Sequence, residues 1–313
     1  MRIGLCLPQL GPDVSLTVVR EFAVRAEQAG FDSLWVQDHL LFPHEPRTGY
    51  AGRPGLAMPR PYRHLWAPLE LLSFVAAITE RVQLGTSILV AGHHRPVQLT
   101  KSIATIDQLS GGRFSLGLGA GWSEDEHLLA ETPFHQRGAR ADELLAALRA
   151  CLGPNPVQFE GRWFTIPVSD TSPKPVGRIP LVSGFRSEVG MRRTARDFDV
   201  WQPAGMGLDA TIEAHGHVNR LAAEQFGRGP LELSWRVFCS PTLSVLANPP
   251  EGAYGRPNWT GTGEQIASEV EAARAAGVDE VVIDCNFAEG LGETGWKAVP
   301  EELAILAATA HAG

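Results

Sequence analysis

The sequence predicts an α/β fold, a (β/α)8 TIM barrel with loop insertions. Three observations point there. Apolar strand-like runs alternate with helix-period segments, and eight such strands can be counted along the 313 residues. The strands are apolar on both faces, which suits a parallel sheet covered by helices. Eight β/α units in a chain of this length are what such a barrel needs. An open doubly wound sheet is the runner-up.

The elements follow in order. RIGLCLP (2–8) is the first strand. The helix after it, 15–29, sets Val19, Phe22, Ala23 and Ala26 on one face, and Gly30 stops it. FDSLWVQD (31–38) is the second strand, followed by a helix over 66–79. VQLGTSILV (82–90) is the third strand, with a helix over 96–110 that has Pro96 in its first turn. FSLGLG (114–119) is the fourth, and Ser123 with Glu126 forms a capping-box signature for the helix after it. IPLVSG (179–184), helix 187–196, DVW (199–201) and helix 208–226 come next. LELSWRVF (231–238), helix 264–276, DEVVID (279–284) and a last helix over 300–311 complete the set. AGFDSLWVQD (29–38) and AGVDEVVID (276–284) share one pattern: helix end, Gly, apolar residue, Asp, buried strand, Asp. They read as equivalent joints of a repeated unit.

One domain over 1–313 is expected, with insertions at about 42–66, 154–178 and 240–261. Long loops in a compact domain are usually functional. The first and third follow strands, which puts them on the C-terminal face of a barrel, where active sites are built. The 42–66 loop carries Arg47, Arg53, Arg60 and Arg63 against one acid, Glu45, in a chain of net charge −8. Local basicity over a mouth suits an anionic ligand, although a merely solvated loop has the same composition.

The composition excludes several classes. The chain is 44% hydrophobic and 20% charged, so it can bury a large core and is not disordered. It lacks the basic excess of a nucleic-acid binder. No apolar run reaches the roughly 20 residues that span a bilayer. The N-terminal segment, broken by Gly4 and Pro8, does not read as a signal peptide, and a cytoplasmic location is expected. The four cysteines, at 6, 151, 239 and 285, are far apart and read as buried thiols.

Three motifs are candidates for chemistry. Asp38-His39 ends the second strand, where a histidine can move protons; the pair can equally be packing, with Asp38 on nearby backbone and His39 against loop aromatics. GLGAGW (117–122) lets backbone approach a ligand before a helix N-terminus, but it lacks the dinucleotide spacing and can be a plain tight turn. Ser183-Gly184-Phe185-Arg186-Ser187 joins a strand to a helix and can hold a phosphate on backbone N–H groups. Arg192, Arg193 and Arg196 beyond it read as a solvated helix face. His93 and His94, adjacent on a loop, are expected to point opposite ways and make a poor metal pair. Glu124 and His127 read as a solvated face, and no metal is predicted. A flavin-free lyase or isomerase would need a catalytic lysine or acid pair at the mouth, and neither Lys101 nor Lys174 is well placed for it. A non-catalytic cofactor-binding barrel is a further alternative.

GFDSLWVQDHL (30–40), LGTSILV (84–90), HRPVQLTKSIATIDQLSGGRFSLGLGAGW (94–122), PLVSGFRSEVGMRRTARDFDVWQP (180–203) and GTGEQIASEVEAARAAGVDEVVID (261–284) together resemble the bacterial luciferase-like monooxygenase family. The likeness is greatest to the branch that uses the deazaflavin coenzyme F420. The resemblance implies a TIM barrel, usually a homodimer, that acts on a small molecule and holds F420, or alternatively FMN, at its C-terminal face. It puts Asp38 and His39 beside the ring, and a non-proline cis peptide at Ser87-Ile88 behind it. It puts Gly119, Ala120 and Gly121 near the cofactor, and Ser183, Gly184, Phe185 and, less closely matched, Arg186 at the phosphate. Relatives that oxidise glucose 6-phosphate carry a glutamate where this chain has Trp122, so a sugar phosphate is disfavoured and an apolar or planar substrate favoured. On this reading His39 does acid/base work, oriented by Asp38 or the loop, while Trp122 and Arg63 face the substrate.

Overall fold

The computed structural model of the chain describes residues 1–248, 250–252 and 258–312, with 251–252 as backbone alone. Eight parallel strands close on themselves: β1 (Arg2–Cys6), β2 (Ser33–Val36), β3 (Gln83–Thr86), β4 (Phe114–Gly119), β5 (Leu181–Ser183), β6 (Val200–Trp201), β7 (Glu232–Pro241) and β8 (Glu280–Asp284). Each pairs with the next, and β8 pairs back onto β1. The barrel is therefore closed, and the open doubly wound alternative is wrong.

The helices pack outside in chain order: α1 (Leu16–Gln28), α2 (Pro68–Ala76), α3 (Pro96–Ser110), α4 (Glu124–Leu129), α5 (Arg137–Leu152), α6 (Glu188–Asp197), α7 (Leu208–Phe226), α8 (Gly263–Ala275), α9 (Gly292–Glu302) and α10 (Ala304–His311). The reason for α1 is typical. Ser15 caps it by accepting from Val18 N at 3.3 Å, and Val18, Val19, Phe22, Ala23 and Ala26 form its buried stripe. Fully buried Leu34, Leu84, Phe114, Val281 and Ile283 meet such stripes from the strands.

Three aspartates fasten the N-terminal ends of the strands in the same way. Asp32 N donates to Ile3 O while Asp32 Oδ2 accepts from Ile3 N at 2.7 Å. Asp199 does this with Leu181, and Asp279 with Leu233. The sequence repeat had pointed at two of these three joints.

Three expectations need correction. The predicted strand 82–90 is interrupted: β3 ends at Thr86, the Ser87–Ile88 peptide is cis, and Leu89–Val90 forms a separate short strand on β4. The last helix does not begin at Pro300. Pro300 lies near the end of α9, and α10 starts afresh at Ala304. The sixteen-residue α5 was not foreseen as a separate helix. Of the three insertions, 42–66 is a loop with two short 3-10 turns. The second contains the expected antiparallel hairpin, Val157–Glu160 with Thr165–Ser169. Part of the third, residues 249 and 253–257, lies outside the described residues. All four cysteines are buried and free.

Candidate functional site

A cavity of about 860 Å³ opens at the C-terminal ends of the strands. That volume is within the range of cofactor and substrate pockets. Of the residues singled out from sequence, Asp38, His39, Ser87, Ile88, Gly119, Ala120, Gly121, Trp122, Gly184, Phe185 and Arg186 all line it. Ser183 does not. It is fully buried, its hydroxyl 2.6 Å from Thr194 Oγ1 and accepting from Phe185 N, so it braces the β5–α6 turn instead of facing a ligand. Arg63 is also outside the lining. It is exposed and lies 5.0 Å from the Phe42 ring centroid, which replaces a substrate contact with packing.

Ile88 explains two of the glycines. A Cβ at Gly119 would overlap Ile88 Cδ1, and one at Gly184 would sit 3.1 Å from Ile88 Cγ2. The small residues let this side chain lie across the mouths of β4 and β5.

Asp38 does not orient His39. Its Oδ2 accepts from Val90 N at 2.9 Å and meets His93 Nδ1 at 3.3 Å and His94 Nε2 at 3.4 Å. The two neighbouring histidines converge because a 3-10 turn at Ala91–His93 replaces the extended chain assumed from sequence. Burial alone would raise the Asp38 pKa, but the hydrogen bonds from both histidines outweigh it and hold the carboxyl well below its ordinary value.

His39 is held by Glu126, a residue the sequence reading took for half of a capping box. Ser123 does cap α4 by accepting from Glu126 N, but the Glu126 carboxylate turns to the cavity wall. Both its oxygens lie 3.0 Å from His39 Nδ1, and Oε1 accepts from Leu40 N at 2.5 Å. Burial works to raise the Glu126 pKa, and the bonds from His39 and Leu40 bring it below normal. His39 also makes edge contacts with Tyr62 at 4.7 Å and Trp122 at 5.3 Å between centroids. The packing expected of this pair is present: Asp38 bonds nearby backbone at Val90 N, and His39 lies against loop aromatics.

Tyr50, Tyr62, Phe238 and Phe287 extend this aromatic wall, and Tyr62 Oη donates to Gln37 Oε1 at 2.9 Å. Burial, with Tyr50 alongside, pushes the Tyr62 phenol well above its usual range. His127 was expected on a solvated face, yet its side chain is buried and its Nε2 donates to Ala120 O at 2.8 Å.

Beneath the cavity Arg236 Nη2 pairs with Asp284 Oδ2 at 2.5 Å, and its Nη1 donates to Ser87 O. Burial opposes the guanidinium charge, and Asp284 more than restores it. Gln202 lines the same space. Its Nε2 donates to Ser234 Oγ at 2.9 Å, while its buried Oε1 has no partner. Neither residue was marked from sequence: Arg236 sits in a run that reads only as strand, and Gln202 directly follows the short strand DVW (199–201).

The basic side of the cavity comes from Arg137 and Gly138 at the start of α5, with Arg186 and Ser187 just before α6 and Arg193 in its middle. Arg193 Nε lies 3.0 Å from Asp142, so the arginine face of α6 is only partly solvated, contrary to expectation. Arg53, Arg60 and Arg63 are exposed outside this lining, and Arg47 pairs with Asp125. Lys101 and Lys174 are also outside it, bonded to Ser172 O and Cys151 O. No described helix is long and apolar enough to cross a membrane.

Comparison with known proteins adds to this geometry. The sequence profile described as luciferase-like monooxygenase matches residues 1–251. An F420-dependent glucose-6-phosphate dehydrogenase of Amycolatopsis mediterranei is 33% identical over 165 residues, 51% of this chain and 45% of that protein. A 4-hydroxyprotoasukamycin monooxygenase of Streptomyces nodosus subsp. asukaensis is 30% identical over 246 residues, 75% of this chain and 61% of that protein. The structure of an F420-dependent secondary alcohol dehydrogenase with an F420–acetone adduct superimposes with a TM-score of 0.74 at 17% identity, covering 98% of this chain and 99% of that one.

Proposed function

The chain belongs to the luciferase-like monooxygenase family, and from that premise we propose that it is an oxidoreductase that moves a hydride between coenzyme F420 and a small organic substrate. The observation that carries this reading is what one cavity brings together. It has a carboxylate-backed histidine, His39, an unpartnered amide acceptor, Gln202 Oε1, and three arginines, 137, 186 and 193.

The residues fit the cofactor on their own chemistry. Both F420 and FMN carry a ring imide N–H, a donor of the kind a buried bare acceptor such as Gln202 Oε1 calls for. Both carry a phosphate, suited to the N-terminal turn of α6 and to Arg186. Ser87, Ile88 and Gly119–Gly121 would back the ring. When bound, the deazaflavin supplies the carbon that accepts or releases the hydride.

The rest is done by the chain. His39 keeps Nδ1 on Glu126 and lines the cavity, leaving Nε2 to take a proton from a substrate hydroxyl or return one to a carbonyl. Tyr62 and Trp122 hold that ring from its edges and offer an apolar, planar surface to the substrate. Asp38 acts through His93 and His94, not on His39. The net positive 42–66 loop attracts the carboxylates of the F420 tail. The same reading takes the chain to work as a cytoplasmic homodimer.

Titration of the purified protein with F420 and with FMN, followed by fluorescence, tests this. Tighter F420 binding is expected. Tighter FMN binding would move the function to a reduced-flavin, O2-using monooxygenase, the reading that likeness to the asukamycin-type enzyme favours.

A further inference from the structure

His93 does not line the cavity, yet it stands between two buried carboxylates. Its side chain is 1% exposed. Nδ1 lies 3.3 Å from Asp38 Oδ2, and Nε2 lies 4.0 Å from Glu126 Oε2. Nε2 is buried without a hydrogen-bond partner.

Proton accounting decides what these atoms carry. An ionised carboxylate only accepts, so Asp38 requires the His93 proton on Nδ1. Neutral His93 then presents a bare Nε2 toward Glu126. Glu126, accepting from His39 Nδ1 and Leu40 N, is an acceptor too. Two acceptors face each other across 4.0 Å, too far for a hydrogen bond. One added proton turns that gap into an attraction.

We propose that His93 is the proton store of this site, loaded from His39 through Glu126. Loading breaks a substrate O–H bond and forms Nε2–H on His39. The Nδ1–H of His39 breaks as an O–H forms on Glu126. That O–H breaks as Nε2–H forms on His93, with His93 moving about 1 Å to reach hydrogen-bond distance. No electrons move in these steps. They end with an imidazolium between two carboxylates and a neutral His39 at the cavity. After product leaves, the proton returns by the same route to water in the open cavity. Among the described residues, the titratable groups facing His93 are Asp38 from the end of β2, Glu126 and His127 from α4, and adjacent His94. The inference rests on His39 as the acid/base group and not on which cofactor is used.

The test begins without turnover. In ¹⁵N-histidine-labelled wild-type protein, singly protonated His93 is expected as the Nδ1–H tautomer, with Nε2 the nitrogen that takes the second proton. In Glu126→Gln the doubly protonated fraction at the same pH should fall about tenfold, because a carboxylate charge at this distance is worth at least that in a buried site. A wild-type His93 that carries its proton on Nε2 with Nδ1 bare overturns the proposal, as does an unchanged fraction in Glu126→Gln. In turnover, His93→Gln should lower kcat about tenfold, leave KM nearly unchanged and raise the solvent deuterium isotope effect. If His39→Ala is slow but His93→Gln keeps the wild-type kcat and isotope effect, the store is wrong and the acid/base reading stands. If His39→Ala turns over normally, that reading itself fails.

Discussion

Glu126 Oε1 and Oε2 both lie 3.0 Å from His39 Nδ1, so a carboxylate from α4 fixes the tautomer of a histidine from the end of β2. The pair ties α4 to the segment that follows β2 at the barrel mouth, and it determines which ring nitrogen is left free of Glu126.

His39→Ala should therefore slow turnover more than it weakens cofactor binding. General acid/base groups contribute about 10²–10⁴-fold to rate. Glu126→Gln should lower kcat less, by roughly tenfold, because the ring stays in place but its proton is no longer drawn to Nδ1. Steady-state kinetics beside fluorescence titration of the cofactor separates the two effects.

The structure also predicts a pH dependence of stability at His127. Burial, chiefly, with His93 and Arg137 nearby, holds its pKa below the usual 6.5 despite the Ala120 carbonyl. The unfolded chain takes up this proton first as pH falls, so stability present above the mid-6 range is lost through it and flattens below the folded pKa. His127→Gln should show a shallower loss, read as the urea midpoint against pH.

Asp284→Asn should destabilise the fold by about 3–5 kcal/mol, because it leaves Arg236 buried beside a neutral partner. Equilibrium urea unfolding measures this directly. A cost below about 1 kcal/mol would mean that Ser87 O alone satisfies the guanidinium.

Two arginine sets should separate the cofactors. Arg186→Ala should weaken F420 and FMN alike, since both carry a phosphate. Replacing Arg53, Arg60 and Arg63 together should weaken F420 more, through its carboxylate tail. The three side chains are exposed, where each ion pair is worth about 0–1 kcal/mol, so the combined loss should be within roughly tenfold and shrink in salt. Paired fluorescence titrations at low and high salt give the comparison.

The barrel was legible because period is local: FDSLWVQD and DEVVID look like buried strands wherever they stand. The ends of elements were less so. Pro300 suits a first turn, and only the packing of α9 shows it near a last one. The site was legible where glycines and strand ends mark it, as at Gly119–Gly121 and Asp38-His39. It was illegible where chemistry depends on distant partners. Glu126 meets His39 across 87 positions, and Arg236 meets Asp284 across 48. His93 and His94 were misread because an extended chain was assumed where the backbone turns.

Asp32, Asp199 and Asp279 have a wider consequence. Each holds one residue of the preceding strand by both its N–H and its carbonyl, so β1 with β2, β5 with β6, and β7 with β8 cannot slide by a residue without losing two bonds at once. Registration is thus enforced at the end of the barrel remote from the cavity. Loops at the mouth can then be lengthened, shortened or rewritten for a new substrate without the staves losing alignment.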